Sequence, residues 1–294
     1  MGQFIASVAD GIVLAAILSV AAMGFSLQFS LTNVLNLSFG SVMTVGAFAA
    51  YLISVAHVTP WLGLLLGGVA GGITTLVLGR GVLRLYARRR TRLFEMMMVT
   101  LGLSLVIDYG IQAISKNAIF GYTVFPGQAL SVGPVQVTPV QVGIVILAIV
   151  VLLLVSAALH FTKMGKALRA TAVEPSLARS CGIPTGRVVL VTWLGSGFLC
   201  GLAGVVYIIS TQSVSYGTGE LFLPLVIAAA ILGRVGSMWG AAGASLIMGV
   251  VTEVVAGLGQ GGYSTVAGFA ILILVLLLRP GAVFGGSEDR QLVL

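Results

Sequence analysis

The sequence predicts an all-α integral membrane protein, a polytopic bundle of about eight transmembrane helices with broken helices near 33–41 and 233–240. Composition is the first reason. Of 294 residues, 58% are hydrophobic and 8% charged, and the mean hydropathy is +1.13. A soluble domain carries about 25% charged residues to cover its surface, so most of this chain must meet lipid. The second reason is run length. Continuous apolar stretches of about twenty residues match helices that cross about 30 Å of hydrocarbon, whereas a barrel would show shorter alternating segments. The third is glycine, 40 of 294 residues, much of it at small-x-x-x-small spacing, as in Gly67/Gly71, Gly68/Gly72, Gly197/Gly201 and Gly236/Gly240. That spacing lets helix backbones approach closely in a membrane.

Taken in order, the apolar runs fall at about 11–30, 41–56, 60–79, 94–115, 140–161, 188–210, 222–257 and 263–279. Residues 1–10 lack a basic n-region and contain an acid, so the first run is expected to stay as a span. The seventh is too long for one straight crossing and is interrupted at 233–237, so it is either a broken helix or two shorter pieces. The whole, 1–294, reads as a single membrane domain.

Basic residues fix the sidedness. Arg80, Arg84, Arg88, Arg89, Arg90 and Arg92 crowd the loop 80–93, and Lys163, Lys166, Arg169, Arg179 and Arg187 the loop 162–187. The positive-inside rule places both in the cytoplasm. The net charge of +7 is therefore a topology signal and a contact with anionic lipid, not a nucleic-acid footprint. The segment 116–139 then lies outside.

The 162–187 loop is longer than a plain connector needs. Glu174-Pro175-Ser176 reads as a helix start, and Gly182 followed by Pro184 as a stop. A short helix at about 174–183 is expected. It either docks a soluble partner or rests on anionic headgroups.

Polar residues inside the membrane are costly and face the bundle interior. Asp108 in the fourth run, Glu253 in the seventh and Arg234 at its break qualify. So do Asn33, Asn36, Ser38, Gly40 and Ser41, which form an unwound stretch, and Gly236 and Ser237, which form the second break. Paired broken helices point to a substrate path, and aligning Gly40-Ser41 with Gly236-Ser237 gives a weak internal repeat. The alternative for each break is a turn before an ordinary span. Gly165-Lys166 lacks the upstream glycine of a phosphate loop. Cys181 and Cys200 have no second ligand cluster, and His57 and His160 lie far apart, so neither a metal site nor an intramembrane enzyme is expected.

Five motifs in order resemble the permeases of branched-chain amino acid ABC importers, of the LivH type. They are Asn36-Leu-Ser-Phe-Gly40, Thr100-Leu-Gly-Leu-Ser104, Gly165-Lys-Ala-Leu-Arg-Ala-Thr-Ala with Ala178-x-x-x-Gly182, Gly233-x-x-Gly236-Ser237, and Leu276-Leu-Leu-Arg-Pro-Gly281. Phe39 and Ser41 depart from the usual pattern, which carries a polar residue and an acid there. The resemblance implies a subunit of the bacterial cytoplasmic (inner) membrane that binds no cofactor itself, with ATP hydrolysed on two LivG/LivF-type ATPases. It also implies a LivM-type second permease and an extracytoplasmic substrate-binding protein. On this reading Arg169, Glu174, Ala178, Arg179 and Gly182 couple to the ATPases. Thr100 and Ser104 join Asn33, Asn36, Ser38, Gly40, Ser41, Asp108, Gly236, Ser237 and Glu253 on the path. The competing reading is an autonomous secondary transporter or channel for a small polar solute.

Overall fold

The computed structural model describes residues 2–55, 60–83, 93–116, 118–122, 130–132, 135–234 and 236–278. Nine helices run through the apolar part of the described chain: α1 (Gly2–Thr32), α2 (Phe39–Val55), α3 (Pro60–Val77, continued by a π-helical turn Leu78–Leu83), α4 (Leu93–Ser115) and α5 (Pro139–Phe161), then α8 (Thr185–Thr211), α9 (Thr218–Leu232), α10 (Met238–Val255) and α11 (Ser264–Leu278). Two further helices, α6 (Lys163–Val173) and α7 (Pro175–Ser180), form an elbow between α5 and α8. Six helices are long and apolar enough to cross a membrane, and α2, α9 and α11 are shorter. The seventh apolar run is thus two helices. Ser237 ends the break between them by accepting a hydrogen bond from the Gly240 N–H at 3.2 Å, a side-chain N-cap.

The basic stretch 84–92, His57 and the tail from 279 lie outside the described residues. Changing Arg88, Arg89 and Arg90 to Glu should shift loop orientation in a reporter-fusion assay; an unchanged orientation would refute their topological role.

Glycine sets the packing. A methyl group on Gly46 would overlap Gly201, one on Gly201 would overlap the Gly67 carbonyl, and one on Gly71 would sit 2.8 Å from Gly201 Cα. Helices α2, α3 and α8 therefore touch backbone to backbone at one point. Among these contacts Gly71 lies by Gly197 and Gly67 by Val205, so α3 runs antiparallel to α8. In the same way Gly11 meets Val250 and Gly249 meets Ala15, while Gly236 lies by Ser30, so α10 runs antiparallel to α1.

These paired contacts disclose an inverted repeat. Helices α1–α4 correspond to α8–α11, and α1 is antiparallel to α8, since Gln28 meets Ser196 and Gly24 meets Leu199. Helix α1 ends on Asn33 in the left-handed region (φ 54°), and α8 ends on Gln212 (φ 52°). Gly40 and Gly219, near the starts of α2 and α9, are in contact, and each follows its left-handed residue at the same distance in sequence. The repeat suggested by the sequence matched Gly40 with Gly236; the observed partner is Gly219. The Gly236 break lies against the C-terminal part of α1, where Ser26 Oγ accepts from the Gly236 N–H at 2.7 Å.

Short strands close the end of the bundle opposite the elbow. β1 (Phe120–Gly121) pairs antiparallel with β4 (Ser213–Val214), and β2 (Leu130–Val132) with β3 (Val135–Val137). The β1–β4 pair ties the end of α4 to the end of α8. Beneath it Tyr122 is buried with Ala47, Ala50, Val205 and Ile208.

Candidate functional site

The segment 33–38 is unwound at membrane depth, where every polar group needs a partner. The partners are present. Asn36 Oδ1 accepts from the Ser38 N–H at 3.1 Å and from the Ser38 hydroxyl at 2.6 Å. The Asn36 amide donates to Gln28 Oε1 at 3.4 Å, which also accepts from the Ser196 hydroxyl at 3.2 Å. Thr100 Oγ1 accepts from the Leu37 N–H at 3.2 Å and donates to the Met97 carbonyl at 2.8 Å. Asn36, Ser38 and Thr100 are all buried.

One turn beyond Thr100, α4 presents Ser104, and one turn further Asp108, giving a polar stripe at i, i+4 and i+8 on one face. The Ser41 hydroxyl lies 2.6 Å from the Ser104 hydroxyl and donates to Asp108 Oδ2 at 2.6 Å, while Ser104 reaches the same oxygen at 3.2 Å. The stripe faces α2, and the opposite face of α4, with Leu105, Val106 and Tyr109, is exposed. Asp108 is 3% exposed, yet its second oxygen, Oδ1, has no hydrogen-bond partner. Ser41→Ala would orphan more of this carboxylate and should cost about 1–3 kcal/mol, read as a lower thermal midpoint of the purified protein; an unchanged midpoint would refute the network's structural weight.

The seam sits near mid-membrane. Cys200, close to the middle of α8, donates its thiol to the Phe39 carbonyl at 3.0 Å. Phe39, which stands where a polar residue was expected, is buried edge-to-face on Phe25 at 5.5 Å. Helix α2 runs from this level toward the β1–β4 end of the bundle, and α9 from the same level toward the α6–α7 end. Their N-termini touch: Thr44 Oγ1 accepts from the Gly219 N–H at 3.0 Å. Two partial helices thus meet tip to tip, each directing the positive end of its dipole to mid-membrane.

At the end of the bundle that carries the elbow, Thr162 both ends α5 and caps α6, accepting from the Gly165 N–H at 3.0 Å. Glu174 caps α7 rather than lying within it. Gly182 (φ 79°) closes α7 in a Schellman motif: its N–H donates to the Arg179 carbonyl and the Ile183 N–H to the Ala178 carbonyl, both at 3.0 Å. Gly182→Ala places a Cβ at that φ and should cost about 1 kcal/mol. Helix α6 was not expected; it is buried at Leu168, which packs with Leu27, Leu31 and Val188. The elbow is thereby clamped to the end of α1, two residues before the unwound segment. Arg169, Glu174, Leu177 and Arg179 are exposed, whereas Ala178 is buried and faces inward.

The structure therefore brings Asn36, Ser38, Ser41, Thr100, Ser104 and Asp108 into one seam, with Asn33 and Gly40 at its turns. It leaves Gly236 and Ser237 beside Ser26, and puts Glu253 within electrostatic reach of Asp10 and Tyr207, at the far end of α10 from Arg234. Gln28, Ser196 and Thr44 belong to the seam and were not singled out. Gln28 and Ser196 are isolated polar residues in apolar runs, a signal that was legible; Thr44 acquires its place only through the contact of α2 with α9.

An inverted helical repeat with two half-helices meeting over a buried polar seam defines a multi-pass membrane permease. Residues 7–278 match the family described as branched-chain amino acid transport system / permease component, and the chain belongs to that family as a multi-pass protein of the inner membrane. It is 30% identical to a probable branched-chain amino acid transport permease protein LivH of Methanocaldococcus jannaschii, over 92% of this chain and 89% of that one. It is 24% identical to the high-affinity branched-chain amino acid permease LivH of Escherichia coli, over 98% and 97% of the two chains. A nucleoside ABC transporter permease of Lactococcus lactis is 28% identical over 87% of each. In fold the chain is similar to PsaBC from Streptococcus pneumoniae, with a TM-score of 0.52 at 12% identity over 94% and 92% of the chains.

Proposed function

We propose that this chain is the membrane-spanning subunit of an ABC importer that carries branched-chain amino acids into the cytoplasm, driven by ATP hydrolysis on separate subunits. The observation that carries this reading is the α6–α7 elbow. It displays Val173 and Leu177, 67% and 62% exposed, among Arg169, Glu174 and Arg179 on the basic side of the membrane. Exposed apolar residues ringed by charge suit a soluble protein partner. Leu168 and Leu31 link that surface to α1 and to the unwound segment.

In this mechanism, closure of two LivG/LivF-type ATPases displaces the elbow. The clamp shifts the end of α1, the hydrogen bonds of 33–38 rearrange, and α2 and α9 part at their tips. A second, LivM-type permease completes the pathway, and an extracytoplasmic binding protein delivers the solute. The solute passes along Ser41, Ser104 and Asp108. Leu168→Ala would leave a cavity in the clamp, and such truncations cost about 2–5 kcal/mol in a core. It should lower uptake while ATPase subunits still co-purify; uptake at the parental level would argue against transmission through this contact.

The direct test is affinity purification in mild detergent, followed by reconstitution with the co-purifying subunits and uptake of labelled leucine, isoleucine, valine and a nucleoside. ATP-dependent accumulation of the amino acids is expected. Uptake by the chain alone under an ion gradient would replace this reading with a secondary transporter, and nucleoside accumulation would reassign the solute.

A further inference from the structure

The place where α2 and α9 meet holds two carboxylates and no cation among the described residues. Asp108 is buried, with Oδ2 held by Ser41 and Ser104 and Oδ1 unpartnered. Glu220, in the first turn of α9, is exposed and follows Gly219, which touches Gly40 beside the Ser41 that bonds Asp108. Both hydrogen bonds that Asp108 accepts come from neutral hydroxyls, Ser41 and Ser104. A buried carboxylate oxygen without a donor is costly, and an oxygen cluster of this kind is completed by a group that carries several donors and a positive charge.

We propose that Asp108 and Glu220 together bind the ammonium group of the transported amino acid at mid-membrane. This rests on the amino-acid importer reading and adds the group recognised and the residues that recognise it. A primary ammonium has three N–H donors: Asp108 Oδ1 takes one and the Glu220 carboxylate another. The positive ends of α2 and α9 converge at the same level and suit the solute's carboxylate. Glu220 stands at the accessible side and Asp108 behind it, so the ammonium passes from an exposed acid to a buried one.

The test uses the purified complex in nanodiscs without binding protein, and ligand-detected NMR of three probes. Leucine has both charged groups, leucinol keeps only the ammonium, and 4-methylpentanoate keeps only the carboxylate. Leucine and leucinol should bind, and 4-methylpentanoate more weakly. Asp108→Asn, which is isosteric, and Glu220→Gln, at an exposed position, should each weaken leucinol by about tenfold or more, because charge-assisted hydrogen bonds are about twice as strong as neutral ones. The 4-methylpentanoate signal should hardly move in either variant, a split that a merely structural role would not produce. Equal binding of leucinol and 4-methylpentanoate, leucinol binding untouched by both substitutions, or no leucine binding to the parent complex would each overturn the proposal. So would loss of leucinol binding when choline chloride is exchanged for sodium chloride, which would give the site to an inorganic cation. If the parent chain brings down no ATPase but still binds leucinol through Asp108, the importer reading fails while the ammonium site stands.

Discussion

The double variant Glu174→Arg, Leu177→Asp should take up solute at least about thirtyfold more slowly than the parent, the equivalent of losing one interface hot spot of about 2 kcal/mol. Glu174 caps α7 and Leu177 is its most exposed apolar side chain, so the pair changes both the tilt of the short helix and the surface it offers. Membrane insertion should be normal, because neither residue lies within a span. The measurement is ATP-driven uptake in proteoliposomes beside ATPase activity in the same vesicles. ATP hydrolysis with little transport, or loss of the ATPase subunits during purification, is the expected pattern. Parental uptake would remove the docking role of the elbow.

The second large effect is structural. Gly201→Leu should abolish recovery of a monodisperse protein. Even a methyl there overlaps the Gly67 carbonyl and comes within 3.1 Å of Gly71 Cα, and both obstacles are backbone that cannot rotate away. Overpacking of a well-fitted core costs about 1–3 kcal/mol, occasionally more, and here three helices must separate together. Gly102→Leu is the matched control, since open space surrounds that glycine on α4. Fluorescence-detected size exclusion distinguishes them. A sharp peak for Gly201→Leu would mean that the α2–α3–α8 contact is looser than the structure has it.

What the sequence displayed and what it hid have different physical causes. Spans were legible because lipid imposes run length directly, and both breaks were legible because Asn, Ser and Gly interrupt apolar runs at 33–41 and 233–240. The α7 helix was legible from Glu174-Pro175 and Gly182, which are local capping signals. Helix α6 was not, because its sequence is mixed in polarity and its stability comes from Leu168 packing on Leu27 and Leu31. The repeat was read in the wrong register because two Gly-Ser pairs look alike in sequence, whereas the structural match depends on left-handed ends at Asn33 and Gln212. Asp108 was visible as a lone acid in a span. Its hydrogen bond from Ser41 was not, since that needs α2 and α4 side by side.

The tip-to-tip meeting of α2 and α9 bears on how this protein stays shut. Neither segment is long enough to cross the bilayer alone, and they join where Gly40 meets Gly219 and Leu223 and where Gly219 meets Thr44, so in the proposed mechanism that join is the seal. Side chains at those two positions would have held the tips apart. With hydrogen atoms only, the two backbones meet directly, and in the proposed mechanism they part as rigid helices, with no unwinding required.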